Sequence, residues 1–206
     1  METEHFAYEY SGPIRPDHRI IYDMIEPGSK VLDLGCGNGD LGYVLERGKS
    51  ARVQGIELDE ASIYRCVGKG LSVFQSDIES ALVEYPDGSF DYVIMNQTMQ
   101  EVKKADFAIR EGLRVGKKVI VGFPNFACLR SRAMLFFRGK APITASLPHH
   151  WFDTPNVRFL SVSDMEDFCA MSGIRILRAR YLGEKKEIRF WPNLRAQNAV
   201  FVLAQK

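Results

Sequence analysis

The chain has 206 residues, 46% of them hydrophobic, which suits one α/β domain burying roughly 70% of its unfolded surface. With 27 basic and 26 acidic residues the net charge is +1, which argues against a nucleic-acid footprint spread over the whole protein and leaves room only for a local basic patch. Cys36, Cys66, Cys128 and Cys169 show neither close pairing nor metal-ligand spacing, and predict reduced thiols in a cytoplasmic protein with no metal site.

In chain order, the start Met1-Glu2-Thr3-Glu4-His5 is acidic and lacks the basic and apolar regions of a signal peptide. Arg15-Pro16-Asp17 predicts a helix start, with Ile20, Ile21, Met24 and Ile25 at helical spacing and Pro27-Gly28 as its stop. Lys30 to Leu34 then predicts a strand running into glycines at alternate positions, Gly35, Gly37 and Gly39. Such a strand–loop–helix needs glycines to turn sharply and to let a ligand approach the backbone. Asp40 stands where a dinucleotide-binding loop has its third glycine, and a carboxylate there is electrostatically wrong for a pyrophosphate. A nucleoside ligand without phosphates fits better, and S-adenosylmethionine is the candidate.

Gln54 to Asp59 predicts a second strand ending in acids. Glu57 lies about 20 residues past the glycines, the offset at which doubly wound folds present an acid to a ribose diol. After a helix over about 60–69, a third strand, Leu71 to Gln75, leads to Asp77, placed to accept from an adenine amino group. Pro86-Asp87-Gly88 turns into a fourth strand, Phe90 to Met95, ending at Asn96-Gln97. Open α/β sheets bind ligands at the carboxyl ends of their strands, and four such ends here carry Gly, Glu, Asp and Asn/Gln in order. Taken singly, Glu57 and Asp77 read equally well as helix N-caps.

A helix ending near Arg114-Val115-Gly116 precedes a fifth strand, Lys118 to Phe123. Ser163-Asp164-Met165-Glu166 predicts a capping box opening a helix that ends near Gly173. Strands over about 174–181 and 198–204 follow, a pair that commonly gives such a sheet an antiparallel edge. The alternation demands a doubly wound, mostly parallel sheet. The stretch 124–162 does not fit it. A helix over about 127–138 leads into a proline- and aromatic-studded run, which reads as a lid or binding surface or as a packed cover for the sheet edge. One domain over 1–206 carrying that insertion is expected. No apolar run approaches a membrane span.

The glycine loop, the strand-end acids and Val93 to Gln100 make the chain resemble class I methyltransferases. Within that group it closely resembles the MetW family of methionine biosynthesis proteins. The closer match lies in Arg15-Pro16-Asp17, Tyr85 to Asp91, Gln97 to Gln100, Arg114-Val115-Gly116, Phe123 to Phe126, and Leu147-Pro148 through Trp151 to Asn156. The resemblance implies a seven-stranded Rossmann-like sheet. It places Asp33, Gly35, Gly37 and Gly39 near the methionyl end of S-adenosylmethionine (or S-adenosylhomocysteine), Glu57 on the ribose and Asp77 at the adenine. Cys36, Leu58, Ile78 and Asn96 complete the expected cofactor-binding set. It also implies a partner, homoserine O-acyltransferase. His149-His150 and the tail around Glu184-Lys185-Lys186 depart from the family pattern.

Two functions stay open on these residues. One is an S-adenosylmethionine-binding regulatory subunit, whose coupling requires unequal ligand affinity in the free and docked states. The other is an active small-molecule methyltransferase, for which alignment and exclusion of water suffice without a base. The fourth strand lacks the Asn/Asp-Pro-Pro-aromatic run of amino-group methylation. His149 or His150 is a candidate base, or is simply solvated or packed on Trp151. Cys36 reads as a small residue filling its turn, with a nucleophile as the alternative. His5 and His18 are far from the motifs in sequence. Arg130, Arg132, Arg138 and Lys140 form a basic cluster, read as a solvated face or as a site for an acidic partner or nucleic acid, although no aromatic-interleaved basic strand supports RNA recognition.

Overall fold

The computed structural model describes residues 14–184 and 186–206. The acidic start, with His5, and Lys185 of the departing tail lie outside the described residues. Helix α1, Pro16–Met24, opens with a proline at its first turn and buries Ile20, Ile21 and Met24. Proline suits that position because its missing N–H would be unpaired there anyway. Strand β1, Lys30–Leu34, helix α2, Asp40–Lys49, and strand β2, Arg52–Glu57, follow. Next come α3, Glu60–Gly68, β3, Ser72–Gln75, α4, Ile78–Glu84, and β4, Phe90–Asn96. Helix α5, Ala105–Val115, delivers β5, Gly116–Pro124, and α6 spans Leu129–Arg138. The chain ends with α7, Val162–Ser172, β6, Arg175–Leu182, a short α8, Pro192–Arg195, and β7, Asn198–Ala204.

The seven strands lie in the order β3-β2-β1-β4-β5-β7-β6, as the doubly wound expectation requires. Strands β3 through β5 pair in parallel, and β7 runs antiparallel to both β5 and β6. The antiparallel strand therefore lies one place in from the edge, and β6 is the edge itself. A bulge between Ile176 and Arg178 and the exposed Arg175 and Arg178 keep that edge from pairing further.

Successive strand residues serve opposite faces of the sheet, so both faces are apolar. Val93, Met95, Val119, Val121 and Phe123 pack with Ile109 and Leu113 of α5 and Met165 of α7. Tyr92, Ile94 and Ile120 pack on the other side with Ile20 and Ile21 of α1 and Leu41 and Leu45 of α2.

The capping box sits two residues earlier than the sequence pattern placed it. Ser161 Oγ accepts from Asp164 N at 3.2 Å and Ser161 N donates to Asp164 Oδ2 at 2.8 Å. The shift has a cause in the core. Fully buried Asn125 accepts from Val162 N at 3.4 Å through Oδ1, which pins the helix start. The same side chain accepts from Ala127 N at 3.2 Å and donates to the carbonyls of Asn193 and Ala196 at 3.0 and 2.8 Å. Arg114 works similarly, donating to Leu82 O and Tyr85 O, the last carbonyls of α4, and to Asp87 and Glu111.

Candidate functional site

The strand order reverses at β1, which pairs with β2 on one side and β4 on the other. Loops leaving β1 and β4 diverge there, opening a crevice at the carboxyl ends. Gly35 takes φ +70°, and a Cβ on it would stand 2.7 Å from Thr98 Cγ2 in the β4 loop. Thr98 Oγ1 in turn donates to Leu34 O at 3.1 Å, locking the two loops together. The N–H groups of Gly35 and Cys36 both donate to Ile56 O, bending the glycine loop back over β2.

Between these loops and α1 lies a cleft of about 430 Å³, within the size range of small-molecule sites. Asp33, Gly35, Cys36, Gly37 and Asn96 of the expected set line it. Gly37 has φ +54° with open space where a Cβ would stand. Asp33 is 3% exposed, and among the described residues no hydrogen bond reaches its carboxyl. Burial, and then the charge of Glu57, push that carboxyl up to about 7. A buried acid left this way is complementary to a cationic group.

The rest of the expected set is placed differently. Glu57 Oε2 accepts from Gly37 N at 2.7 Å, and Oε1 accepts from Leu58 N at 2.8 Å and Asp59 N at 3.0 Å. Its carboxylate thus shapes the glycine loop before any ligand is considered. Asp77 caps α4, accepting from Glu79 N and Ser80 N at 2.9 and 3.3 Å. Leu58 and Asp77 are exposed and Ile78 is half-buried, all outside the cleft wall. Gly39 faces α3 and β3: a Cβ there would meet Leu71 Cδ1 at 2.5 Å and Cys66 Sγ at 2.8 Å. The Cys36 and Cys66 sulfurs are 3.9 Å apart, and burial raises both thiols, which disfavours the reactive thiolate form of Cys36.

The cleft also contains residues that sequence reasoning missed: Arg15, which precedes α1, His18 within it, Asn38 of the glycine loop and Arg65 of α3. Asp40 at the start of α2 and Gln97 of the β4 loop, both noted in the sequence, line it as well. Arg15 forks onto Asp17, whose Oδ2 also accepts from Asn96 Nδ2 at 2.8 Å. Burial pulls Asp17 upward, but Arg15, Asn96 and His18 outweigh it and hold the carboxyl low. His18 is held low chiefly by burial. A signal existed for both. They stand three or four residues before Ile21 and therefore share the inward face of α1. Arg65 Nη1 donates to Asn38 Oδ1 at 2.7 Å, and Lys69 pairs with Asp40. Gln97 adopts φ +60°, a strained value for a non-glycine residue, and its N–H donates to Gly122 O at 2.7 Å.

A glycine loop, a buried acid and a strand switch point are shared by many proteins; the rest of the chain decides among them. Residues 15–203 match the family described as methionine biosynthesis protein MetW. The chain belongs to the MetW family.

A bifunctional methionine biosynthesis protein MetXA/MetW from Rhodopirellula baltica is 32% identical over 197 residues, covering 89% of this chain. The match occupies 32% of that relative's length, so this MetW-family chain corresponds to about a third of it. A ubiquinone biosynthesis O-methyltransferase from Hahella chejuensis is 29% identical over 92% of this chain and 89% of its own length. A solved methyltransferase from Thermotoga maritima, dependent on S-adenosylmethionine, superposes with a TM-score of 0.63 at 19% identity. That superposition covers 100% of this chain and 95% of the other, and shows the class I methyltransferase fold alone. Among the described residues no helix is long and apolar enough to cross a membrane, and no group of His, Cys, Asp and Glu is placed to hold a metal ion.

Proposed function

We propose that this chain binds S-adenosylmethionine, or its product S-adenosylhomocysteine, and acts as an accessory, regulatory partner of homoserine O-acyltransferase in methionine biosynthesis. The observation carrying the ligand assignment is Asp33, a buried carboxyl with no hydrogen-bond partner among the described residues, on the wall of a cleft of suitable size. It suits the positive charge of the methionyl end, while Asp40 at the start of α2 disfavours a phosphate. Gly35, Cys36, Gly37 and Asn96 border the same end. Glu57 and Leu58 take the ribose, and Asp77 and Ile78 the adenine. A carboxylate offers about four acceptor positions, so Glu57, already accepting three N–H groups, retains one for a hydroxyl. When bound, S-adenosylmethionine supplies an activated methyl group.

The partner assignment rests on family membership and on the bifunctional relative, taking its MetXA portion as the acyltransferase. The test is acyltransferase activity assayed with and without this protein, alongside calorimetric titration with S-adenosylmethionine. Activity that depends on this protein, and micromolar binding, are expected. An acyltransferase indifferent to it refutes the regulatory role, and absence of binding refutes the ligand.

A second reading, an active small-molecule methyltransferase, draws on Glu101. Glu101 lies in the loop that follows β4, where desolvation and then Glu57 hold its carboxyl up against the opposing pull of His149. Production of S-adenosylhomocysteine from a metabolite pool would establish this reading.

A further inference from the structure

Helix α6 has ten residues, of which Ser131 alone is buried. Isolated helices of this length are marginal in water, so something must cover this one for its outer face to be worth keeping apolar. Phe136 is 83% exposed and Phe137 80%, with their rings 5.0 Å apart edge to face. Helical spacing sets these two and exposed Leu129 on the side opposite Ser131, with Arg130 and Arg132 flanking them. The two arginines stand in the first turn, where the helix dipole disfavours cations, and that turn has no acid to compensate. From Gly112 to Phe152 the chain contains no Asp or Glu at all.

We propose that this aromatic, arginine-flanked face of α6 docks into an apolar hollow rimmed by carboxylates on the homoserine O-acyltransferase. The proposal rests on the partner reading above. Aromatic anchors in a desolvated centre with arginines around them are what a protein interface uses. A second copy of this chain meeting the face across a two-fold axis would bring two arginine-flanked faces together with no carboxylate to offset their charge. A bilayer would accept the same chemistry, but the relative that carries both portions in one chain favours a protein occupant. The face also connects to the cleft. The segment that follows α6 returns to the β4 loop, where Val157 N and Arg158 N both donate to Gln100 O, at 2.9 and 3.1 Å.

The test is sedimentation velocity of the full chain with purified acyltransferase at low and high salt. Phe136→Ser/Phe137→Ser and, separately, Arg130→Glu serve as variants. Arg130→Glu improves the match to the helix dipole, so its loss of binding cannot be ascribed to an unfolded helix. The wild type should form a complex that weakens with salt, and each variant should bind at least about tenfold more weakly. The thermal midpoint should not fall and S-adenosylmethionine affinity should not change. A wild-type complex that both variants form equally well places the docking face elsewhere and leaves the partner reading standing. If the wild type forms no complex, the partner reading fails and this face with it. Variant-sensitive self-association, or variant-sensitive pelleting with phosphatidylglycerol vesicles, assigns the face to a second copy or a bilayer and overturns the proposal.

Discussion

Asp33→Asn should make the ligand-free protein more stable at alkaline pH while abolishing tight ligand binding. The Asp33 carboxyl sits at about 7 in the folded chain against an ordinary 3.8, because burial and Glu57 disfavour its ionised form. A raised acid binds more protons folded than unfolded, so its contribution is favourable below about pH 4 and is lost as pH rises through 7. The full difference corresponds to about 4 kcal/mol above pH 7, and relaxation of the site reduces it to an expected 2–3 kcal/mol. Asparagine carries no such charge. Urea unfolding should therefore show the variant ahead by that margin at pH 8, with the gap closing towards pH 4. Calorimetry at pH 8 should show S-adenosylmethionine bound at least about tenfold more weakly, since a charge-assisted contact is removed. A gap independent of pH, or a variant less stable at pH 8, would refute the reasoning about Asp33. Unchanged affinity with the fold intact would remove this residue from the binding site.

Glu57→Ala should weaken S-adenosylmethionine by about 1.5–3 kcal/mol in calorimetry and also lower the thermal midpoint, because three backbone N–H groups lose their acceptor. Unchanged affinity would discard the ribose assignment. Arg15→Ala should cost about 1.5–3 kcal/mol by leaving the buried Asp17 carboxylate with the Asn96 amide but no cationic partner. Asp17 is held low in the fold, so its share of stability is present above about pH 4 and lost on acidification. The wild-type advantage should shrink in acid unfolding curves, and a constant advantage would contradict this. Gly39→Ala should destabilise the fold by more than about 1 kcal/mol, since it adds strain at φ +74° to a clash with Leu71 and Cys66. A neutral thermal melt would sink that account. Trp151→Ala/Phe152→Ala should impair acyltransferase activation and spare ligand affinity, because both rings are exposed. Equal loss of both properties would move these rings into the cofactor pocket.

Much of the sheet was legible because its strands are apolar runs closed by Gly, Pro and Asp, and because period and length tell them from helices. Lys30 to Leu34, Phe90 to Met95 and the helix from Pro16 stand where their patterns put them. The capping box moved from Ser163 to Ser161 because its position depends on Asn125, which is far away in sequence. The same limit governed the site. Asp33, Gly35 and Gly37 were readable from one local motif. Arg15 and Arg65 reach the cleft only through tertiary folding, and no local spacing announced them, whereas the helical spacing of His18 to Ile21 sets it on the inward face of α1. Asp77 shows the converse, since its predicted alternative as an N-cap is the role its hydrogen bonds display.

The four bonds of Asn125 carry a wider implication. They clamp both feet of the stretch between Ala127 and Val162 to one turn behind β7, so the path between those feet contributes little to holding the sheet together. That stretch is in effect an exchangeable cassette. Its length and surface can diverge while the sheet end beneath stays put, and transplanting it onto a sister scaffold that keeps this asparagine should leave that scaffold's fold intact.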